Sequence, residues 1–120
     1  MGMKIENFKD IVKMINNRKP EVRRKGAELL SERTCLLETL IKNRKDTPSE
    51  YEEFMKCLTR LIEIVYDSKD EQLIETAINT TTSPGLLKAL LGYKTEDGRE
   101  LPQNIRKLVE QRIKKIESKC

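Results

Sequence analysis

The stretch from Thr47 to Asp67 constrains the fold more than any other part of the chain. It begins Thr47-Pro48-Ser49-Glu50, a capping box in which the threonine hydroxyl accepts from the third helical amide and the glutamate reaches back. Proline at the first helical position loses nothing, because that N–H has no partner inside a helix. An apolar stripe at helical spacing follows: Tyr51, Phe54, Met55, Leu58, Leu61, Ile62 and Val65. The pattern predicts a central core helix that is buried against other helices.

Similar signals predict about seven helices and an all-α fold. The first runs from about Glu6 to Asn17, and Pro20 opens the second, which reaches about Glu32. Gly26 lies inside that helix, where glycine costs about 1 kcal/mol, so we expect it to permit a close helix–helix approach. Thr34 is predicted to cap a short third helix that ends before the turn 43–46. Further helices follow the start signals at Thr47, Asp70, Ser83-Pro84 and Leu101-Pro102, and Gly92 is predicted to cap the sixth.

Length and composition indicate one helical domain, residues 1–120. Apolar residues make up 37% of the chain, enough for a core, and charged residues make up another 37%. No run approaches the roughly 18 apolar residues of a membrane span, and no apolar signal segment follows Met1. Cys35, Cys57 and Cys120 are odd in number and far apart, which predicts free thiols in a reducing compartment. We therefore expect a cytoplasmic protein without membrane contact.

An internal repeat emerges when the chain is shifted by 50 residues. The apolar positions of the first helix then fall on those of 58–65, and those of 36–41 fall on 86–91. The middle helix matches poorly, because Val22 opposes Gln72 while Arg23 and Arg24 oppose apolar residues. The pattern predicts two stacked three-helix units, about 6–43 and 47–92, and a capping helix of about 102–118. Chance similarity between leucine-rich helices is the alternative.

At this point the chain resembles the HEAT and armadillo repeat families. The opening Pro20-Glu21-Val22-Arg23, followed by Ala27 and Leu30, is similar to the second helix of a HEAT unit. The resemblance covers roughly residues 6–92, departs from the pattern at Gln72 and has only two units. It implies a protein-interaction surface and no catalytic residues. An irregular helical bundle remains the alternative architecture.

Charge is distributed unevenly along the chain. The net charge is +5 over residues 1–48, −5 over 49–100 and +4 over 101–120. One interpretation is internal: the basic last helix, with Arg106, Lys107, Arg112, Lys114 and Lys115, lies near the acidic second unit. The functional interpretation is a basic edge that binds an acidic partner. Its two groups of basic residues, one around residues 18–25 and one at 44–45, both lie near predicted helix–helix turns. The candidate residues of this basic edge are Arg18, Lys19, Arg23, Arg24, Lys25, Arg44 and Lys45.

These observations predict a non-catalytic scaffold module that binds another protein. Nucleic-acid binding at the basic edge is an alternative, although the aromatic residues that would stack bases fall on core stripes. Self-association is another, because a basic and an acidic unit in one chain can pair head to tail. Catalysis is not predicted, because the chain has no histidine and no glycine-rich phosphate loop. We expect no cofactor and no metal site.

Overall fold

The structure is a computed structural model that describes residues 8–118. Helices account for most of these residues. No strand occurs within these residues, so the predicted all-α class is confirmed for them. The predicted helix start at Glu6 and the thiol of Cys120 lie outside the described range. The helices are α1 (Phe8–Ile15), α2 (Pro20–Lys42), α3 (Pro48–Asp67), α4 (Glu71–Thr80), α5 (Pro84–Gly92) and α6 (Gln103–Glu117).

One uninterrupted helix, α2, replaces the second and third helices of the prediction. Thr34, predicted to cap a new helix, lies buried inside α2, where its hydroxyl donates to the carbonyl of Leu30 at 2.6 Å. A threonine in a helix can satisfy its hydroxyl in this way without breaking the backbone. No proline or glycine interrupts residues 27–42, and α2 ends only where Arg44 adopts a φ of +57°. Residues 8–118 therefore form six helices, and the predicted count of seven is not confirmed.

The starts of the later helices agree with the prediction because their signals are local. Thr47 and Glu50 form the expected capping box, with N···O distances of 3.1 Å and 2.9 Å. Asp70 caps α4 and Ser83 caps α5, each accepting at 3.2 Å from the amide three residues later. Gly92 was predicted wrongly as a cap: it is the last residue of α5, and Tyr93 follows it with an extended backbone.

The packing is centred on α2, which contacts α1, α3 and α4, rather than on α3 as the sequence predicted. Short turns connect α1 to α2 and α3 to α4, and the two helices of each pair contact each other. Arg23 near the start of α2 pairs with Asp70 before α4, and Ser31 further along bonds to Ala77, so α2 and α4 run in the same direction. The last helix, α6, packs against α5 and α4.

The hairpin of α1 and α2 is close because Gly26 has no side chain. A Cβ built on Gly26 would lie 2.9 Å from the amide nitrogen of Ile15 and 2.9 Å from Cβ of Met14. Atoms of that type essentially never approach so closely, so the two helices can touch here only across a glycine. The prediction that Gly26 permits a close helix–helix approach is confirmed.

Buried polar groups join α2, α4 and α6. The Ser31 hydroxyl donates to the carbonyl of Ala77 at 3.0 Å, and the Thr81 hydroxyl donates to the same carbonyl at 2.8 Å. Arg112 of α6 donates from Nε to the carbonyl of Thr81 at 3.1 Å. The end of α4, at Thr80 and Thr81, is therefore the meeting point of three helices. The 50-residue repeat itself stays a prediction.

Candidate functional site

The two clusters of the predicted basic edge lie at opposite ends of α2. Arg18 and Lys19 precede its first residue, whereas Arg44 and Lys45 follow its last. A helix of 23 residues is about 33 Å long, at a rise of about 1.5 Å per residue. The sequence predicted that both clusters lie near helix–helix turns of a stacked array, with separate helices on either side of residue 33, and the continuous helix α2 removes that break.

Arg23 serves the fold from the centre of the N-terminal cluster. Its Nη1 donates to the carbonyls of Asn17 and Arg18 at 3.1 Å and 2.9 Å, where the chain turns between α1 and α2. Its Nε and Nη2 donate to Asp70 Oδ2 at 3.2 Å and 3.0 Å. Burial tends to raise the pKa of the Asp70 carboxyl, but hydrogen bonds from Arg23 and the Leu73 amide outweigh burial and lower this pKa. Arg23 thus joins two inter-helix turns.

The other members of the basic edge differ in how they are held. Arg24 donates from Nη1 to Gln72 Oε1 at 2.7 Å, which explains the polar residue where the repeat pattern expected an apolar one. Lys25 lies 3.8 Å from Glu28 within α2. The side chains of Arg18, Lys19, Arg44 and Lys45 form no hydrogen bond or ion pair with residues 8–118. A free cationic patch therefore survives at each end of α2, with two residues apiece.

A polar cleft of about 570 Å³ opens beside Arg23, between the α1–α2 turn and the α3–α4 turn. Arg60 extends into it, donating to Glu63 Oε1 at 3.0 Å and to Asn16 Oδ1 at 2.9 Å. Its buried Nε has no partner within the described residues. The lining holds three cations (Arg23, Arg60 and Lys69) and three carboxylates (Glu63, Asp67 and Asp70), so the cleft has no single charge sign that would select an anion or a cation.

The predicted core stripe of α3 divides into a buried and an exposed part. The helix turns Cys57, Leu61, Ile64 and Val65 into the core. Tyr51 and Met55 keep 49% and 43% of their surface exposed, although both were predicted to be buried. The sequence carries a signal for this: Cys57 and Ile64 are also apolar, so α3 has more apolar positions than one buried stripe can hold. The surplus forms an outer apolar face.

Two grooves flank this outer face. The α1–α3 groove holds about 440 Å³ and is lined by Phe8 and Val12 of α1 together with Met55 and Lys56. The α3–loop groove holds about 730 Å³, lies between α3 and the segment 93–99, and has Leu58 and Ile62 in its lining. Met55, Thr59 and Glu63 line both grooves, so this part of α3 is a ridge between them.

The loop that forms the second wall is anchored to α3. The Tyr66 hydroxyl lies 2.6 Å from the carbonyl oxygen of Leu90 and 2.7 Å from that of Tyr93, and it donates to this pair. The two tyrosine rings meet edge to face with centroids 5.2 Å apart. Arg99 pairs with Asp67 at 3.1 Å. These contacts hold the loop against the helix and shape the α3–loop groove.

The walls of the two grooves carry opposite charges. Glu96 and Asp97 of the loop, with Asp67 of α3, give the α3–loop groove an excess of carboxylates over its single arginine. Lys56 lines the α1–α3 groove, and the exposed Lys9 follows Phe8 on α1. The outer face of α3 thus lies between a wall that carries a lysine and a wall with an excess of carboxylates.

The buried thiol of Cys57 shows no feature of a nucleophile. Burial raises its pKa to about 11, so the thiolate is scarcely populated near neutral pH. The neighbouring Arg33 donates to both oxygens of Glu53 at 2.7 Å and 2.8 Å, and this hydrogen bonding lowers the pKa of the glutamate. Arg33 and Glu53 bridge α2 to α3, and we assign all three side chains to the fold.

The basic last helix pairs only partly with the acidic region. Arg106 lies 3.7 Å from Glu100, while Arg112 bonds to a backbone carbonyl.

Of the helices within residues 8–118, none combines the length and the apolar character that a membrane span requires. Comparison of the chain with protein-family models, with curated proteins and with solved structures found no match.

Proposed function

We propose that the chain is a non-catalytic module that binds other proteins through the outer apolar face of α3. One observation carries the proposal: of the four large apolar side chains that are well exposed among residues 8–118, three lie on α3 or on the loop beside it. These are Tyr51, Met55 and Tyr93. Exposed aromatic residues and methionine are typical of interface centres, where they supply most of the binding energy. Single exposed apolar residues need no explanation, whereas Met55 and Tyr93 line the same groove.

The stacking of two helical hairpins supports a scaffold of the α-solenoid type. In the predicted HEAT-like arrangement, equivalent helices of successive units lie side by side and point the same way. The parallel course of α2 and α4 is compatible with this arrangement. Free thiols at Cys35 and Cys57 support a reducing compartment, and we assign the module to the cytoplasm.

The test is site-specific photo-cross-linking in extracts of the native cells. A benzophenone side chain placed at position 55 should form a covalent adduct with another polypeptide, and the same group at position 36 should not. Leu36 is the matched control, because it is 52% exposed but lies on α2 and lines neither groove. Equal cross-linking from both positions, or none from position 55, would contradict the proposal.

Nucleic-acid binding at the start of α2 is the second candidate, because the side chains of Arg18 and Lys19 form no hydrogen bond or ion pair within the described residues. Fluorescence anisotropy with a labelled RNA or DNA oligonucleotide tests it. Binding through these cations should weaken steeply between low and moderate salt and in Arg18→Ala/Lys19→Ala. The matched control is Arg44→Ala/Lys45→Ala at the far end of α2. Arg23 is unsuitable as a probe, since its loss would disturb the turns that it joins.

A further inference from the structure

A pocket of about 420 Å³ lies between the end of α4 and the second half of α6. One residue of α4 and four of α6 line it: Asn79, Leu108, Gln111, Arg112 and Lys115. The four residues of α6 are spaced 3, 1 and 3 apart, so they lie on one face of that helix. We propose that this pocket binds the phosphate group of a small phosphorylated molecule. This site is separate from the outer face of α3, and neither proposal depends on the other.

The lining of the pocket is positively charged and rich in hydrogen-bond donors. Arg112 and Lys115 contribute two positive charges, and the side-chain amides of Asn79 and Gln111 add further N–H groups. No carboxylate of residues 8–118 lines the pocket, unlike the polar cleft beside α1, where both charge signs occur. A phosphate monoester carries a charge of about −1.5 to −2 near neutral pH. It therefore matches the two cations better than a carboxylate or a phosphodiester, which each carry a single negative charge.

The guanidinium group of Arg112 is held in place before any ligand binds. Its Nε donates to the carbonyl oxygen of Thr81 at 3.1 Å. Thr81 is buried, and its hydroxyl donates to the carbonyl of Ala77 at 2.8 Å, which fixes this acceptor at the end of α4. Nη1 and Nη2 of Arg112 form no hydrogen bond or ion pair within residues 8–118, so this edge of the guanidinium is free. Two parallel donors of this kind bind two oxygens of one phosphate group.

The other lining residues provide the rest of a small-molecule site. Lys115 follows Arg112 by three residues, so the two cations lie about one turn apart on α6. The side chains of Asn79, Gln111 and Lys115 form no hydrogen bond or ion pair within the described part of the chain. Leu108 supplies an apolar wall. The volume falls in the range of about 300–1,000 Å³ that is typical of small-molecule sites, so we expect an organic group beyond the phosphate that contacts Leu108.

The experiment is heteronuclear NMR of the full chain, titrated with phenyl phosphate at about pH 7.5, where the compound is a dianion. The side-chain amides of Asn79 and Gln111 and the Nε–H of Arg112 report on the pocket. We expect these signals to shift together and to saturate with a dissociation constant of about 1 mM or lower. Phenyl sulfate, which has a similar shape but a single negative charge, should bind severalfold more weakly. Linear shifts up to about 20 mM, or equal binding of the two compounds, would overturn the proposal.

Variants of exposed side chains locate the site. Lys115→Gln should raise the dissociation constant of phenyl phosphate by about tenfold. Lys107→Gln is the matched control, because it removes an exposed lysine of the same helix that does not line the pocket, and it should change the constant by less than about twofold. Gln111→Glu keeps the shape of the side chain, adds a negative charge to the lining and should abolish saturable binding. Equal weakening by Lys115→Gln and Lys107→Gln would mean that the ligand responds only to the general charge of α6, and the proposal would be wrong.

Competition separates a small ligand from a larger partner. A DNA oligonucleotide without terminal phosphates contains only phosphodiesters and should not displace phenyl phosphate at moderate salt. A phosphoserine peptide should bind no more tightly than phenyl phosphate, because the pocket encloses only the phosphate and the group next to it. Displacement by the oligonucleotide, or much tighter binding of the peptide, would overturn the assignment to a small molecule. None of these results affects the cross-linking at position 55, so the two proposals can fail independently.

Discussion

Replacement of Gly26 by alanine tests the packing of α1 on α2 more directly than any other single change. The added methyl group would lie 2.9 Å from the amide nitrogen of Ile15 and 2.9 Å from Cβ of Met14. The first is a backbone atom and the second is fixed to the backbone, so neither can swing aside as the end of a long side chain could. The strain is relieved only if α1 moves away from α2.

Two opposing contributions determine the size of the effect. Alanine is favoured over glycine in a helix interior by about 1 kcal/mol. An extra methyl group in a tightly packed site costs about 1–3 kcal/mol, and the rigid neighbours of Gly26 argue for the upper half of that range. We expect a net loss of about 1–2 kcal/mol in the free energy of unfolding, which lowers the melting temperature by about 4–8 °C.

The assay is urea denaturation followed by circular dichroism, with Gly92→Ala as the matched control. Gly92 ends α5, has an ordinary backbone conformation and has no atom within 4 Å of a built Cβ. Its replacement should leave the stability unchanged or raise it by up to about 1 kcal/mol. If Gly26→Ala proves as stable as Gly92→Ala, α1 yields without loss and the close approach has no energetic importance.

Three further predictions follow from the polar and thiol groups. Arg23→Ala should lower the free energy of unfolding by about 1–3 kcal/mol, while Arg18→Ala, measured in the same urea series, should change it by under about 0.5 kcal/mol; equal effects would contradict the bridging role of Arg23. Hydrogen bonding from Arg33 lowers the pKa of the Glu53 carboxyl below its ordinary 4.5. The ion pair of Arg33 and Glu53 therefore stabilises the fold fully above pH 4.5, and this stabilisation is lost as the pH falls through the lowered pKa of the folded state. Urea titrations at several pH values should therefore show a weaker loss of stability on acidification in Glu53→Gln, and an unchanged pH dependence would contradict the role of this pair. In a variant that keeps Cys57 as its only thiol, a disulfide reagent at pH 8 should react only as fast as the protein opens, because the thiol is buried and its pKa is raised to about 11; rapid reaction of the whole population in native buffer would refute this.

Local signals in the sequence predicted the helix starts correctly. The capping box at Thr47 and Glu50, and the caps Asp70 and Ser83, depend only on residues within one turn. Gly26 was also recognised, because a glycine in a helix interior needs a packing reason. Information of this kind is complete within a few residues, so the rest of the fold does not alter it.

The failures concern information that is not local. Threonine is a residue type that often caps helices. Thr34 instead donates its hydroxyl to the Leu30 carbonyl inside the helix, because the core on both sides favours a continuous α2. The spacing of apolar residues in α3 predicts an amphipathic helix. It does not determine which of these residues pack against another helix. Tyr51 and Met55 lie outside because the core is filled by Cys57 and Ile64. The two clusters of the basic edge lie far apart for a similarly non-local reason, since the distance between them depends on the length of α2.

The position of α2 also bears on how the chain reaches its fold. Connections of four, five and three residues join α1 to α2, α2 to α3 and α3 to α4, so each contact forms with little loss of loop entropy. Chains whose contacts lie close in sequence fold on the microsecond to millisecond scale. The helices can also assemble in the order of synthesis: α1 to α4 contain the central contacts of α2, and α5 and α6 join afterwards. A ribosome that has released only the first four helices has therefore already released the three helices that α2 contacts most extensively.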